Sequence, residues 1–455
     1  MESELFGSSG VRGLVNVELT PVLAARIGLA VATYSKPKKV LVGRDTRVSG
    51  LMLENALVSG LLAGGARVNC LRVVPTPVLA FLTKTLDADV GVMITASHNP
   101  PEYNGVKIFD GSSTAYGKEK QNEVERIVND KSFKLADWRN VGEALFIDEN
   151  HCYAEMVQKV VEIYKQWRVI VDPGCGAACY IAPSIFRNLG CKATTINAQP
   201  DGFFPGRSPE PNVKSLRSLA EIVQRLNADI GVAYDGDGDR VAFVDEEGNF
   251  VNFDRVLAAY VAHVTKKARG KTVVTNVEAS MCFDKMVEAE GGRVVRTMVG
   301  DVYVAEAIKR HEAVFGGEPC GAWIHPQFHY CPDGILSSVL LLKALEDEDK
   351  SLSEFVSEVP QYVTLRENVA CKNEVKHEVV EKIEERLRSV FPSFKHVSTV
   401  DGVRLAFEDG WILVRASGTE PVVRLTVEGE SLKKAREIME KGVMLVKRLI
   451  GKVGK

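Results

Sequence analysis

The chain has 455 residues and a mass of 49.8 kDa, a length that suggests about three compact domains. Hydrophobic residues make up 45% and charged residues 26%, which is ordinary for a soluble globular protein and excludes a disordered or collagen-like chain. The 57 Lys and Arg residues nearly balance the 60 Asp and Glu residues, for a net charge of -3, so neither nucleic acid nor a membrane is an expected partner.

We do not expect the first residues of the sequence to form a signal peptide. Its first four residues are polar or acidic apart from the initial Met, and no apolar segment typical of a signal peptide follows. No stretch approaches the ~18 uncharged apolar residues of a membrane span. The nine cysteines are an odd number scattered through a long chain, which favours reduced thiols and predicts a cytoplasmic location.

Three segments follow one plan, in which a β-branched run, a helix-like stretch, a glycine and a second apolar run succeed one another. The β-branched runs are residues 39–45, 168–173 and 271–276. The helix-like stretches are residues 53–62, 181–189 and 281–290, and the glycines are Gly65, Gly190 and Gly292. A third apolar run then ends in a polar loop, within residues 89–100, 229–240 and 312–321.

This alternation predicts α/β domains whose sheets are mixed and largely parallel. Ligands collect at the carboxyl ends of strands in such sheets, and the three polar loops occupy that position. From residue 366 onward, a helix-like run over residues 375–390, a strand–turn–strand and a last helix over residues 432–450 predict a smaller α+β domain. We therefore predict four domains, over residues 1–150, 151–250, 251–365 and 366–455.

Residues 235–240 read Asp-Gly-Asp-Gly-Asp-Arg, with carboxylates at alternating positions. Alternate side chains of an extended segment project to one side and the glycines let the backbone curl, so Asp235, Asp237 and Asp239 can converge on one ion. Oxygen ligands without His or Cys favour a single Mg²⁺. An EF-hand loop would use Glu246 at its twelfth position but requires Gly where Arg240 stands. A plain solvated turn would leave three carboxylates repelling one another.

Residues 95–101 read Thr-Ala-Ser-His-Asn-Pro-Pro and follow a buried apolar run. One interpretation is an Asx-Pro turn in which Ser97 is a local cap. A hydrolase triad is disfavoured, because Ser97 and His98 are adjacent and would point apart, and the glycines of a nucleophile elbow are missing. The remaining interpretation is a phosphorylated Ser97, which would complete the anionic ligands of the Mg²⁺. Lys107 could neutralise that phosphoryl group or transfer a proton.

Residues 415–421 read Arg-Ala-Ser-Gly-Thr-Glu-Pro and lie between two strand-like runs. A phosphate would find donors in Arg415, Ser417, the Gly418 N–H, Thr419 and Arg424. The alternative is a β-hairpin turn with surface arginines.

One other set of residues has ligand character. It comprises Cys320, His325, His329 and Cys331, with a spacing that does not match the common zinc fingers. Pro326 and Pro332 interrupt any helix there, so structural zinc is only an alternative.

The four loops in this order resemble the α-D-phosphohexomutase superfamily, which includes phosphoglucomutases, phosphomannomutase/phosphoglucomutases and phosphoglucosamine mutases. Residues 95–101 match its phosphoserine loop, 235–240 its metal loop, 316–321 its sugar loop and 415–421 its phosphate loop. The resemblance implies three related α/β domains and a smaller fourth domain around a central cleft. It also implies an isomerase that moves a phosphate between the 1- and 6-positions of a hexose. Phosphorylated Ser97 would give its phosphoryl group to the sugar, and the hexose 1,6-bisphosphate, both intermediate and activator, would turn around and return its other phosphate.

The resemblance further implies roles for single residues. Arg12, His98 and Lys107 match positions near the transferring phosphoryl group, and are expected to act in catalysis with Ser97. The expected metal ligands are Ser97, Asp235, Asp237 and Asp239. The expected substrate-binding residues are Arg44, Arg240, Glu318, Cys320, Arg415, Ser417, Gly418, Thr419 and Arg424.

The sugar loop departs from the family pattern Gly-Glu-x-Ser-Gly-His, because residues 317–322 read Gly-Glu-Pro-Cys-Gly-Ala. Cys320 replaces the serine and Ala322 replaces a histidine often proposed for acid–base work, so this loop does not identify the general acid. Residues 300–304, Gly-Asp-Val-Tyr-Val, resemble a stretch of phosphoglucosamine mutases. Glucosamine phosphate is therefore the expected substrate, with Asp301 or Glu318 attracting its amino group.

Other functions remain open. The first alternative is the same reaction on mannose or glucose phosphates. A phosphoserine-dependent sugar phosphatase and a non-catalytic sugar-phosphate sensor are disfavoured alternatives. We expect a monomer or a homodimer.

Overall fold

The computed structural model describes residues 5–7, 9–417 and 420–453. The chain divides into two compact units. Unit 1 comprises Met1–Phe253 and Gly300–Ser357, and unit 2 comprises Asp254–Val299 and Glu358–Lys455. Each unit is thus built from two separate stretches of chain, and the division into four domains remains a prediction. Within the described residues, the helices are too short or too polar to cross a lipid bilayer.

Unit 1 begins with a six-stranded sheet. Its elements are β1 (Val11–Leu14), α1 (Pro21–Ser35), β2 (Lys39–Arg44), α2 (Gly50–Ala63), β3 (Arg67–Val73), α3 (Thr76–Thr85), β4 (Val90–Ile94), β5 (Tyr103–Asp110), α4 (Lys118–Asp130) and β6 (Ala144–Phe146). The strand order is β1-β5-β4-β2-β3-β6. The β4–β2, β2–β3 and β3–β6 pairs are parallel, whereas β1–β5 and β5–β4 are antiparallel. Every residue of β4 is buried, as expected for a continuous apolar run in the middle of such a sheet.

A second, four-stranded sheet follows in unit 1. Its elements are α5 (Asn150–Val160), β7 (Arg168–Asp172), a 3₁₀ turn (Ala177–Tyr180), α6 (Ala182–Asn188), β8 (Lys192–Thr195), α7 (Arg217–Arg225), β9 (Ile230–Tyr234) and β10 (Val241–Val244). The strand order is β10-β9-β7-β8, with β9–β7 and β7–β8 parallel and β10–β9 antiparallel. The Asp-rich loop therefore joins two neighbouring buried strands.

The chain then contributes elements to both units. They are α8 (Phe253–Lys267), β11 (Thr272–Asn276), α9 (Met281–Ala289), β12 (Arg293–Thr297), α10 (Asp301–His311), β13 (Phe315–Gly317), β14 (Trp323–Ile324), α11 (Gly334–Glu348) and α12 (Leu352–Ser357). In unit 2, β11 and β12 pair in parallel. In unit 1, β13 and β14 pair antiparallel. Asp333 caps α11 by accepting a bond from the Leu336 N–H at 2.9 Å, and its Oδ2 accepts another from the Tyr153 hydroxyl at 2.8 Å.

The C-terminal part of unit 2 is an antiparallel sheet with three helices. Its elements are β15 (Val363–Ala370), α13 (Asn373–Glu381), α14 (Ile383–Val390), β16 (His396–Ser398), β17 (Val403–Ala406), β18 (Gly410–Ala416), β19 (Val422–Gly429) and α15 (Leu432–Val453). The strand order is β15-β19-β18-β17-β16. Apolar residues of the three helices and of the inner strands form one buried cluster, which includes Leu387, Ile412 and Ile438.

The predicted fold class is confirmed: the α/β part has mixed, largely parallel sheets and the C-terminal part is α+β. The three predicted β-branched runs are β2, β7 and β11, and the polar loops follow β4, β9 and β13. One predicted element differs in detail. The single helix expected over residues 375–390 is divided into α13 and α14 at Lys382, which keeps a right-handed conformation (φ −79°, ψ −7°).

Candidate functional site

Ser97 lies directly beyond the end of β4 and is 1% exposed. Its φ of +50° is in the left-handed region, which costs energy for a residue with a side chain and is typical of functional turns. The Ser97 hydroxyl donates to Asp235 Oδ2 at 2.6 Å, and the Nδ1 atom of His98 lies 3.2 Å from the same Oγ. The structure thus places the predicted nucleophile against the predicted metal loop.

A buried arginine holds this strained loop in place. The Arg47 guanidinium donates to the carbonyl oxygens of Ser97 (2.9 Å), Asn99 (2.6 Å), Pro100 (2.5 Å) and Tyr103 (2.9 Å). Its charge is balanced by Asp45, whose Oδ2 accepts from Arg47 Nε at 3.0 Å. Four carbonyls on one planar donor group fix the backbone around Ser97.

Sequence reasoning missed Asp45 and Arg47, although the preceding residue, Arg44, was predicted to bind substrate. Arg44 forms an ion pair with Glu54 of α2 at 2.9 Å, and its role in substrate binding stays a prediction. Asp45 also accepts from the Thr95 hydroxyl at 2.7 Å, and Thr95 in turn accepts from the Ser97 N–H at 2.8 Å. The signal that could have identified this pair is an Asp-x-Arg sequence directly after β2, at the same sheet edge as the Ser97 loop.

The Asp-rich loop approaches the Ser97 loop at Gly236. A Cβ atom at Gly236 would lie 2.6 Å from the Ser97 carbonyl oxygen, so only glycine permits this approach. Gly238 has a φ of +76°, which lets the loop turn back toward β10. Carboxylate oxygens of Asp235, Asp237 and Asp239 then lie within 4.8 Å of one another, and all three residues are buried.

Lys107 of β5 is a buried cation beside this cluster. Its Nζ lies 2.5 Å from Asp239 Oδ2 and 3.3 Å from Asp237 Oδ2. Burial alone would lower the pKa of Lys107, but these two carboxylates raise it above its ordinary value. The Thr76 hydroxyl, which sequence reasoning did not single out, donates to Asp237 at 2.5 Å. Lys107 is therefore a fixed positive charge in the site.

The three carboxylates do not share the same electrostatic environment. Burial and repulsion from Asp239 and Asp237 raise the pKa of Asp235 well above its ordinary value. Burial would also raise the pKa of Asp237, but Lys107 and the Thr76 hydroxyl lower it below its ordinary value. Of these two carboxylates, Asp235 is thus the one whose negative charge is less well neutralised by neighbouring cations.

The residues present fit a divalent metal ion. The second oxygens of Asp237 and Asp239, both Oδ1, are buried without a hydrogen-bond partner. Hard carboxylate oxygens that lack donors are the ligands that Mg²⁺ prefers. In the part of the chain that is described, the only other group close enough to hold an ion is Glu149, His151 and Cys152, at the surface.

The two alternative metal sites, an EF-hand calcium loop and a structural zinc site, do not fit the described residues. Glu246, the twelfth residue of the hypothetical EF-hand, accepts a bond from the Ser353 hydroxyl at 2.5 Å. His325 Nε2 lies 2.9 Å from Ser337 Oγ, and His329 Nε2 lies 2.9 Å from Asp333 Oδ2. These histidines have protein partners, and they do not gather with the nearby cysteines around a common point.

Arg12 and His98 complete the positive and neutral groups of the site. Arg12 is on β1, opposite Gly105, and donates to Asn99 Oδ1 at 2.8 Å. Burial, together with the charges of Arg240 and Arg12, lowers the pKa of His98 to about 2. His98 is therefore a neutral imidazole beside Ser97, and burial and the nearby guanidiniums oppose its protonation.

The predicted sugar loop begins at β13. Glu318 is buried and accepts a bond from the Gly300 N–H at 2.8 Å. Burial raises the pKa of Cys320 to about 12, so its side chain is a neutral thiol, and it interacts electrostatically with Arg240. Ala322, which is buried, brings no acid–base group. Asp301 opens α10 and accepts a bond from Ser9 Oγ at 3.4 Å.

The predicted phosphate loop belongs to unit 2. The Arg415 guanidinium lies 2.6 Å from Glu278 Oε1 and 3.2 Å from Asp401 Oδ2. Arg424, opposite Arg415 in the β18–β19 register, pairs with Glu420 at 2.5 Å. Both guanidiniums thus have carboxylate partners that an incoming phosphate would share or displace.

The backbone of this loop is held from α13. Ser417 is buried, and its carbonyl accepts a bond from the buried Lys376, a residue that sequence reasoning did not single out. Lys376 also donates to the Glu420 carbonyl at 3.2 Å. Gly418 and Thr419, the other two predicted residues of this loop, lie outside the described residues.

Comparisons with known proteins agree with this arrangement. Family models for phosphoglucomutase/phosphomannomutase match the chain in order: α/β/α domain I over residues 3–135, domain II over 151–248, domain III over 252–362 and the C-terminal domain over 367–443. The first three models cover the Ser97, Asp-rich and sugar loops, and the last covers the predicted phosphate loop.

Relatives match nearly the whole chain. A probable phosphoglucosamine mutase of Pyrococcus abyssi is 45% identical over 447 residues, 98% of each chain. A phosphoglucosamine mutase of Methanocaldococcus jannaschii is 43% identical over 452 residues, 98% of this chain and 99% of the relative. Among solved structures, a phosphoglucomutase/phosphomannomutase family protein of Burkholderia thailandensis matches with a TM-score of 0.89 and 27% identity, covering 98% of this chain and 97% of that chain. The chain belongs to the phosphoglucomutase/phosphomannomutase family, within the α-D-phosphohexomutase superfamily that its four loops resemble.

Proposed function

We propose that this protein interconverts glucosamine 6-phosphate and glucosamine 1-phosphate. The two relatives described above, 45% and 43% identical over nearly their full length, are named for this activity. The observation in this chain that carries the proposal is the 2.6 Å contact between Ser97 Oγ and Asp235 Oδ2, inside a cluster of three buried carboxylates.

In the proposed reaction, Ser97 carries a phosphoryl group at the start. A hydroxyl of the sugar phosphate attacks the phosphorus, and the bond from phosphorus to Ser97 Oγ breaks. The attacking hydroxyl loses its proton to a base, and the leaving Ser97 oxygen takes up a proton. The product is the hexose 1,6-bisphosphate and a free Ser97 hydroxyl. The same steps in reverse, on the other phosphate, restore phosphorylated Ser97 and release the isomer, so no phosphate is consumed.

His98, Lys107 and Arg12 are the groups that would support this transfer. The imidazole of His98, 3.2 Å from Ser97 Oγ, is held neutral, so we assign it a hydrogen bond that positions Ser97. Lys107 is held by two aspartates as a permanent cation, so we assign it charge stabilisation rather than proton transfer. Arg12, part of the same buried group, is assigned the same role.

We assign one Mg²⁺ to Asp235, Asp237 and Asp239, with phosphorylated Ser97 as the fourth protein ligand. The two partnerless carboxylate oxygens, and the repulsion that raises the pKa of Asp235, support this assignment. When bound, the ion would supply Lewis-acid stabilisation of the transferring phosphoryl oxygens. The protein's own contribution is to hold three carboxylates and Ser97 together, through the Arg47 bonds and the Gly236 approach.

The phosphate that is not transferred needs a separate holder. We assign this to Arg415, Ser417, Gly418, Thr419 and Arg424. Arg415 and Arg424 are directly opposite each other on the neighbouring strands β18 and β19, so their side chains project from the same face of the sheet. Arg240, Cys320 and Arg44 remain proposed substrate contacts; Arg240 is the best supported, because it interacts with both the aspartates and Glu318.

Selection of an amino sugar would rest on Glu318 and Asp301. The protonated amino group of glucosamine phosphate is a cation that mannose and glucose phosphates lack. One carboxylate at a partly wet site favours such a cation by about 1–2 kcal/mol, or roughly 5- to 30-fold. Weak turnover of the neutral sugars should therefore persist.

The test compares kcat/KM for the 6-phosphates of glucosamine, mannose and glucose, with isomer and free phosphate measured in the same reactions. Ser97→Ala should form no isomer, whereas Ser184→Ala, a serine on α6 outside the site, should match the wild type. Phosphate release in place of isomer formation would favour the phosphatase. A mannose preference above tenfold would refute the amino-sugar assignment and leave the mutase mechanism standing.

A further inference from the structure

Unit 2 contains a cavity of 740 Å³ that is separate from the groups discussed above. It lies between α9 and β12 on one side and β16, β17 and β18 on the other. Its volume is within the range of sites that bind small molecules. None of its lining residues belongs to the Ser97, Asp-rich, sugar or phosphate loops.

The most unusual residue in the wall is Arg404 of β17, which is only 5% exposed. Its guanidinium lies over the ring of Trp411, 4.7 Å from the ring centre. In the described parts of the chain, this guanidinium has neither a hydrogen-bond acceptor nor an ion-pair partner, and its Nε is a buried donor. A buried cation without a counter-ion destabilises the folded protein, so an arginine at this position calls for an explanation.

The nearby carboxylates are already engaged. Asp284 pairs with Arg296, and Glu408 pairs with Lys395. Glu428 accepts bonds from the Trp411 indole N–H and the Met281 N–H, both at 2.9 Å. Burial, with repulsion from Arg296, lowers the pKa of Arg404 to about 9. Asp284 and Glu428 attract Arg404 and partly offset this effect, but within the described residues no carboxylate bonds to it directly.

The charge of the wall favours a dianion. Five basic side chains line the cavity, Lys285, Arg293, Arg296, Lys395 and Arg404, against the three acidic ones, Asp284, Glu288 and Glu408. The excess of two positive charges matches a phosphate monoester, which carries about −1.5 to −2 at neutral pH. A ligand with a single carboxylate would balance only one of the two excess positive charges.

The position of the polar groups also fits a phosphate. Ser398 of β16 is directly opposite Arg404 in the strand register, so both side chains project from the same face of the sheet. A hydroxyl beside a planar guanidinium is a suitable donor set for phosphate oxygens. Lys285 is exposed at the rim, where a longer ligand would reach it. The cavity is also much larger than one phosphate group, which leaves room for an organic part.

We infer that this cavity binds a small phosphorylated molecule, with its phosphate on Arg404 and Ser398 and the rest of the molecule extending toward Lys285. This site is additional to the one proposed for sugar-phosphate turnover.

The test is a calorimetric titration of the full chain with pyrophosphate, made in an Arg415→Met background so that the proposed phosphate loop contributes little to binding. Arg404→Met should weaken pyrophosphate binding at least tenfold, which is the scale of one charge-assisted bond. Lys285→Met should weaken it several-fold. Lys433→Met, which removes an exposed lysine on α15, should have no effect.

A second measurement separates binding from a purely structural role. Without anions, Arg404→Met should melt at or above the wild-type temperature, because the variant no longer buries an unpaired cation; pyrophosphate should raise the melting temperature of the wild type only. Pyrophosphate affinity unchanged in Arg404→Met would overturn the proposal. If Arg404→Met does not fold, an unchanged pyrophosphate affinity in Lys285→Met would overturn the proposal. Malonate that binds as tightly as pyrophosphate would show that the cavity does not select phosphate.

Discussion

Replacing Asp235 by Asn should have opposite effects on stability and on activity. In a chelating buffer the variant should be more stable than the wild type, because the substitution removes one of three mutually repelling buried charges. Turnover should nevertheless fall by ~10²-fold or more, because the proposed Mg²⁺ loses a ligand.

The magnitude follows from the geometry of the cluster. Carboxylate oxygens of Asp235 lie within 4.8 Å of those of Asp237 and of Asp239. At an effective dielectric constant of ~20, two unit charges at that distance repel by about 3.5 kcal/mol, so two neighbours give about 7 kcal/mol. The attraction of Arg240 and the charged bond from Ser97 offset much of this repulsion. We expect a net gain of about 1–3 kcal/mol in the free energy of unfolding.

The assay is thermal unfolding of both proteins in EDTA and in Mg²⁺, alongside turnover. Mg²⁺ at 100 times its Kd should stabilise the wild type by about 2.7 kcal/mol and should stabilise Asp235→Asn far less. The matched control is Asp245→Asn, another buried aspartate close by. Its carboxylate accepts from the N–H groups of Glu247 (3.0 Å) and Asn249 (2.8 Å), so this variant should lose stability and keep its activity. If Asp235→Asn is destabilised in EDTA as Asp245→Asn is, the electrostatic reasoning is refuted.

Three further changes test other parts of the structure. Arg47→Met should lower the free energy of unfolding by about 3–5 kcal/mol, measured by urea denaturation, whereas the exposed Arg126→Met should cost less than ~1 kcal/mol; equal effects would argue against the role of Arg47 in holding the loop. Gly236→Ala forces a Cβ into a position 2.6 Å from the Ser97 carbonyl, so kcat should fall while KM changes little; a normal kcat would show that the approach of the two loops is not needed. Burial raises the pKa of Asp254 from 3.8 to about 6, so its proton is held more tightly in the folded chain than in the unfolded one. The contribution of Asp254 to stability should therefore be fully present at acidic pH and fall by about 2–3 kcal/mol as pH rises from 4 to 7. It is measured as the difference between the wild type and Asp254→Asn when both are unfolded across that range.

The central part of the site was predictable because it follows from sheet geometry. Ser97 and Asp235 each follow a buried strand and lie at the carboxyl end where ligands bind, although β4 and β9 belong to different sheets. The Asp-Gly-Asp-Gly-Asp pattern allowed only a few chemical interpretations. Residue type and spacing were therefore enough to single out each loop, and the prediction that they meet came from their complementary chemistry around one metal ion.

The supporting residues could not be predicted in the same way. Arg12 and Lys107 lie on β1 and β5, the antiparallel strands that the repeated plan does not include. Arg47 binds mainly to backbone carbonyls, which every residue has, so no pattern of side chains marks its partners. The neighbouring Arg44 was singled out from the sequence, and its side chain forms an ion pair with Glu54.

The discontinuous path of the chain has a consequence for its synthesis on the ribosome. Unit 1 needs Gly300–Ser357, yet the ribosome makes Asp254–Val299 of unit 2 first. Until that later stretch emerges, the nascent first half lacks the Asp333 carboxylate that the buried Tyr153 hydroxyl needs, and the Ser338 hydroxyl that pairs with buried Tyr234. Nascent domains generally fold as units, so the first 253 residues should wait in an incomplete state with apolar surface uncovered. A gene fragment that stops at Phe253 should accordingly yield insoluble protein, whereas one that continues to Ser357 should contain every segment of unit 1.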